Sequence, residues 1–244
     1  MRKILIGVLA ASTAVAVGVA GAQTPSPGAE VKVSVSPSKV GTKRKPKPTK
    51  ISLSIKNQDS SQTADGLKIY QSKFIKVSTK GLKKCSAAKL EANGTSACSD
   101  ASRVGRGTAD AIAGVNTASP ARLRFNVTAF IIGDQQIGFY LEQQGGNIRV
   151  LAKGKYKKAS GDYGSLLDVS IPQLAREFPP GTFNGLVGLE TTLYKKLGSR
   201  SLYTTVGCSS ARTLPFKAVI HFQNNPNPPK AASVTAVGTA DCRK

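Results

Sequence analysis

Tryptophan is absent from the chain and histidine occurs once, at His221. Without Trp there is no Cys…Trp…Cys signature of an immunoglobulin domain. One His, with no close C-x-x-C pair, excludes the usual zinc arrangements. No G-x-S-x-G elbow and no D-x-D-x-D-G calcium loop occurs. Acid is scarce, with 13 Asp and Glu against 35 Lys and Arg, and it is scattered singly. Asp162 and Asp168 are the nearest pair on a predicted strand, sharing only face parity. Helical periodicity is almost missing. After the first 22 residues no apolar run is long enough to span a membrane, which takes about 20 residues.

The first 22 residues have the three parts of a secretory signal: Arg2 and Lys3, the uncharged stretch Ile4 to Val19, and the small-x-small site Ala20-Gly21-Ala22. The alternative is a permanent anchor. The apolar stretch is short for a span, contains Ser12, Thr13 and Gly18, and leads directly into the cleavage pattern. The first cysteine is Cys85, which excludes a lipidated cysteine at that site. The mature chain is expected to start at Gln23, with residues 23–30 as a Pro-rich linker and 31–244 as a single domain. A secreted or cell-envelope location follows, with no membrane anchor after cleavage.

Export makes intracellular nucleic acid an unexpected partner, despite a formal net charge of +22 for the whole chain. Anionic wall polymers, lipid headgroups, polysaccharides and extracellular nucleic acid stay open. Four cysteines in an exported chain suggest two disulfides, for which three connectivities exist.

What is present is alternation of period two. Val31, Val33 and Val35 face away from Lys32, Ser34 and Ser36. Ile51, Leu53 and Ile55 repeat the pattern, the mark of a half-buried strand. Pro37 to Lys50 reads as a turn-rich basic loop. Further strands are expected at Leu67–Val77, Arg122–Ile132, Gln136–Gln143, Asn147–Lys153, Ser165–Ile171, Val187–Tyr194 and Leu202–Val206. Residues 102–113 alternate weakly, with Gly105 and Gly107 suggesting a bulge or an edge. Gly145-Gly146 reads as a hairpin turn. Ser170 with Pro172 would start one short helix, Pro172 to Glu177, stopped by Pro179-Pro180. The C-terminal hairpin is the clearest element. Leu214, Phe216, Ala218, Ile220 and Phe222 share a face, and a second strand returns at Ser233 to Ala240. Pairing Phe216 with Val234 brings Cys208 opposite Cys242, leaving Cys85 for Cys98. The whole pattern predicts an all-β chain, an antiparallel β-sandwich or open barrel with at most one or two short helices.

The chain resembles a family of uncharacterised secreted proteins of actinobacteria. The matching residues are Pro37, Lys39, Gly41, Thr42, Lys43 and Pro46; then Cys85, Leu90 and Cys98; then Val104-Gly105-x-Gly107-x-Ala109; and the late pair Cys208 and Cys242. The resemblance implies an exported β-rich domain and transfers no catalytic residue.

No catalytic, metal or cofactor constellation emerges, so the expectation is a protein that is not an enzyme. His221 falls on the strand face opposite Phe216 and Ile220, with no nucleophile motif to serve. Gly105-x-Gly107 lacks the third glycine and helix of a dinucleotide site. The basic segments carry more. Residues 31–58 hold eight Lys or Arg and no acid; residues 66–90 hold seven Lys and no acid. Lys153, Lys155, Lys157 and Lys158 flank Tyr156. Such charges attract phosphate and sulfate groups as points. The expected function is association with anionic surface polymers, led by Lys43, Arg44, Lys45 and Lys47. Pro46 and Pro48 are expected to hold that stretch extended. An extracellular hydrolase assembled from distant strands, and an interaction module without polymer affinity, are the alternatives.

Overall fold

The computed structural model describes residues 28–224 and 231–244. The predicted signal peptide and most of the predicted linker lie outside the described residues. The strand pattern begins two residues earlier than expected, because Ala29 is already buried in the first strand.

Chain order gives β1 (Ala29–Ser36), β2 (Lys47–Pro48), β3 (Lys50–Asn57), β4 (Ala64–Ser72) and β5 (Ile75–Val77), then a short helix α1 (Ala87–Asn93). Next come β6 (Arg103–Ala113), β7 (Ala121–Gly133), β8 (Gln136–Gln143), β9 (Arg149–Lys158) and β10 (Tyr163–Ser170). A four-residue helix α2 (Gln173–Arg176) precedes β11 (Asn184–Leu193). The rest is β12 (Lys196–Leu197), β13 (Arg200–Ser201), β14 (Tyr203–Thr205), β15 (Thr213–Phe222) and β16 (Ser233–Asp241). The all-β expectation holds.

Eleven strands form one antiparallel sheet in the order β1-β3-β11-β6-β7-β8-β9-β10-β4-β15-β16. Of the two predicted architectures, the chain adopts the open barrel, its sheet nearly closed. The sheet curls until its first and last strands meet. Val40 N–H donates to Arg243 O at 2.8 Å and Arg243 N–H to Ser38 O at 2.8 Å, just beyond the ends of β1 and β16. Gly238 makes the seam close: a Cβ there would sit 2.7 Å from the Val31 carbonyl oxygen. Among the described residues no ladder joins β1 to β16, so the barrel is nearly closed, its two edges packed side by side.

Inward side chains fill the barrel. β15 buries Leu214, Phe216, Ala218, Ile220 and Phe222 in alternation, as the sequence indicated. Each large apolar side chain so buried contributes about 1.5–3 kcal/mol. At the wall β7-β8-β9 the alternation lapses. Ala129, Phe130 and Ile131 are all buried, as are Ile137, Phe139 and Tyr140. The cause is α1, which lays Leu90 on Phe130, Tyr140 and Leu151 outside the barrel. Ser86 caps this helix by accepting from Lys89 N–H, and the Cys85–Cys98 disulfide clamps its flanks at a Cα separation of 5.7 Å. Nothing in the sequence marks this helix by period, since Leu90 is the one large apolar residue in 85–98.

Three further expectations are corrected. Leu67–Val77 is two strands, because the chain leaves the large sheet at Lys73 and β5 joins a separate three-stranded sheet, β2-β14-β5. Residues 102–113 form an interior strand with a register shift between Arg103 and Gly105, so the bulge stands and the edge does not. The glycines serve the approach of β11: a Cβ on Gly107 would lie 1.9 Å from Glu190 O. Third, Phe216 pairs with Gly238 rather than Val234. The shift is even, so every residue keeps its face. Cys208 and Cys242 still join, with Cα atoms 6.0 Å apart, within the range a disulfide requires. They do so beyond the ladder, where Cys242 N–H donates to Arg212 O. The predicted helix at 172–177 is present as α2, without a side-chain cap from Ser170.

Candidate polyanion-binding end of the barrel

Antiparallel pairing sends every second connection to the same end of the barrel. One end receives residues 37–49, 73–102, 134–135, 159–162, 194–212 and 242–244. These stretches contain seventeen Lys and Arg against four Asp and Glu. Among the described residues, the opposite end receives 58–63, 114–120, 144–148, 171–183, 223–224 and 231–232, which together hold Arg176 against Asp59 and Glu177. The excess positive charge is therefore concentrated at one end of the fold. The connection 85–98 lies on the outer wall instead, and without its Lys89 and Glu91 the end holds sixteen basic residues against three acidic.

The loop 37–49 carries five of those basic residues. Thr42 N–H donates to Lys45 O at 3.0 Å, and Lys45 N–H donates to Thr42 Oγ1 at 3.1 Å. This closes a turn over Lys43 and Arg44, so the extended conformation expected from Pro46 and Pro48 is limited to Lys47–Pro48, which forms β2. Local backbone and hydroxyl hydrogen bonds outweigh the stiffness of two isolated prolines. The turn is held to the barrel floor. Lys47 pairs with Thr205 on β14, Thr49 N–H donates to Tyr203 O, and Thr49 Oγ1 donates to Lys47 O. Lys43, Arg44 and Lys45 are exposed and Lys47 is half-buried. Among the described residues none of the four forms an ion pair.

The same end carries basic residues that the sequence reading did not single out: Lys195, Lys196, Arg200, Arg212, Arg243 and Lys244. Arg243 bridges directly to Lys39, and the Cys208–Cys242 disulfide ties the 194–212 connection to the C-terminal tail. Counting which predicted connections leave the same strand ends would have grouped them. Other lysines are dispersed or neutralised. Lys73 pairs with Asp162 at 3.1 Å and Lys84 with Asp134 at 2.7 Å. Lys153 and Lys157 point outward from the wall and pair with Glu91 and Asp168. Lys32 pairs with Glu30 and, by hydrogen bond and charge, holds that carboxyl below its usual range. Tyr156, between the β9 lysines, points into the barrel, where its hydroxyl lies 2.5 Å from that of Tyr203. It is no stacking platform.

Asp162 lies just before β10 and Asp168 far along it, so about six residues of extended chain separate them, and each pairs with its own lysine. His221 Nε2 is buried without a partner among the described residues. No group of three or more His, Cys, Asp or Glu among the described residues could hold a metal. No helix among them is long and apolar enough to cross a membrane. The two disulfides fit an extracellular protein.

No family model matches the chain, and neither a curated protein nor a solved structure matches it significantly.

Proposed function

We propose that the protein is an exported, non-enzymatic β-barrel that associates with anionic polymers of the cell surface through its basic end. The observation that carries this reading is the segregation of charge: sixteen basic residues against three acidic at one end, near balance at the other among the described residues. A solubilising charge has no reason to be polarised along the barrel axis. Clustered cations raise the local potential and draw in a polyanion. The closed turn over Lys43 and Arg44 presents its charges without local neutralisation. Each phosphate engaged releases counterions, so four contacts cost on the order of 10²-fold in affinity between 50 and 200 mM salt.

The test is titration of the mature protein, and of a variant with Lys43, Arg44, Lys45 and Lys47 replaced by Ser, against teichoic acid, heparin and DNA. The variant is expected to bind all three more weakly, and by similar factors, because point charges do not read polymer identity. Equal affinity of the two proteins would leave the charge as a solubilising feature only.

A further inference from the structure

The barrel is not completely filled. Between the strands lies a cavity of about 120 Å³, lined mainly by apolar side chains that include Leu67, Phe125, Val127, Phe139 and Leu167. Apolar cavities on the scale of about 150 Å³ stay dry and admit a molecule such as benzene. At the basic end the cavity is closed. Tyr203, Gln71 and Phe216 form its floor and are fully buried. At the other end the inward side chains Leu123, Leu141, Ile171 and Leu186 are only half-buried, so the cavity approaches solvent there.

That end has its own chemistry. The connections 114–120 and 144–148 carry no charge. The covering segment 171–183 puts Pro172 and Ala175 against the cavity and exposes Leu174 and Phe178, at 47% and 44%. Asp110 is the one ionisable carboxylate in the lining, and it faces Arg122 and Arg124 at 3.8 and 3.6 Å. An anionic ligand would find no free cation in the lining, so its charge would be buried uncompensated.

One polar group in the lining lacks a partner. Asn184, 7% exposed, opens β11 beside α2. Its Nδ2 donates to Ala175 O at 3.2 Å, which fixes the amide's orientation. Its Oδ1 is buried and accepts no hydrogen bond among the described residues. A buried acceptor left unmade costs about 1–3 kcal/mol, which a donor in the cavity would recover.

We propose that the barrel interior is a binding site for a neutral, apolar small molecule that carries one hydroxyl or N–H donor, with Asn184 Oδ1 as the acceptor and the end under α2 as the mouth. This function is separate from polymer association at the basic end. The two ends face opposite ways, so a surface-bound barrel keeps its mouth free.

Three probes of one shape test it: 1-naphthol, naphthalene and 1-naphthoate, titrated into the mature protein in 0.5 M salt to suppress binding at the basic end. One 1-naphthol is expected to bind per chain, about tenfold tighter than naphthalene, the ratio one buried hydrogen bond gives; 1-naphthoate is expected not to bind. Asn184→Leu should make 1-naphthol and naphthalene equal. Ala111→Phe, which fills a half-buried lining position near the mouth, should abolish both, with an unchanged circular dichroism spectrum. If Ala111→Phe does not fold, the Asn184→Leu comparison decides alone. Absence of 1-naphthol binding, or equal affinity for naphthol and naphthalene in the unaltered protein, would overturn the proposal and leave Asn184 to an ordinary water. None of these outcomes depends on polyanion affinity.

Discussion

Replacing Gly107 by alanine adds a single methyl group, yet it should be among the most damaging small changes in this protein. Gly107 lies mid-sheet, between Thr191 of β11 and Val127 of β7. A Cβ there would stand 1.9 Å from Glu190 O and 2.8 Å from Thr191 Cα. Both are backbone atoms, so no side-chain rotation relieves the clash. The strands must separate locally. Overpacking costs about 1–3 kcal/mol, and weakening two ladder hydrogen bonds adds about 1 kcal/mol each. The expected loss is about 3–5 kcal/mol. With a urea dependence of about 2 kcal/mol/M for a chain of this size, the unfolding midpoint should fall by about 1.5–2.5 M. Urea titration followed by circular dichroism measures it. Gly188→Ala is the control, since a Cβ there meets nothing closer than 3.1 Å, and it should cost well under half as much. A Gly107→Ala protein within about 0.5 kcal/mol of the parent would refute the close approach of β6 and β11.

Two other perturbations follow from the fold. Removing either disulfide by paired Cys→Ser substitution should destabilise the protein by about 3–4 kcal/mol on a chain-entropy estimate, and non-reducing peptide mapping should recover Cys85–Cys98 and Cys208–Cys242. Burial pushes the Tyr203 hydroxyl from an ordinary 10.0 up to about 12, and burial likewise holds Tyr156 well above its usual range. Both fold best as neutral phenols. Their stabilisation is complete below pH 10 and is lost as pH rises toward 12, about 3 kcal/mol for Tyr203; urea midpoints across pH 9–12 should fall less steeply in Tyr203→Phe.

The strands were legible wherever one face is apolar and the other polar, as at Val31 to Ser36 and Leu214 to Phe222. Face assignment survived even the register error in the C-terminal hairpin, because a shift by an even number keeps every residue on its side. The register itself depends on how the chain crosses 223–232, which no local pattern specifies. α1 was missed because its seven residues bury one side chain, Leu90, too few for a helical period. The run Ala129–Ile132, lacking alternation, was the available sign that something covers the outer wall there. The basic loop was legible as charge. Its partners at the same end were not, since Arg200, Arg212 and Arg243 are brought together only by the alternation of strand ends. The cavity left no mark in the sequence, because its lining is drawn from strands throughout the chain.

The central claim is that polymer affinity resides at one end of the barrel, and the salt dependence of binding tests it most directly. The slope of log K against log salt for teichoic acid should be measured for three proteins: the parent, the variant lacking Lys43, Arg44, Lys45 and Lys47, and a variant with the wall residues Lys32, Lys56, Lys153 and Lys155 changed to Ser. Both variants lose four positive charges. The account predicts a clearly shallower slope and weaker binding for the end variant only, with the wall variant close to the parent. Equal losses in the two variants would show that net charge alone governs binding and would contradict the account.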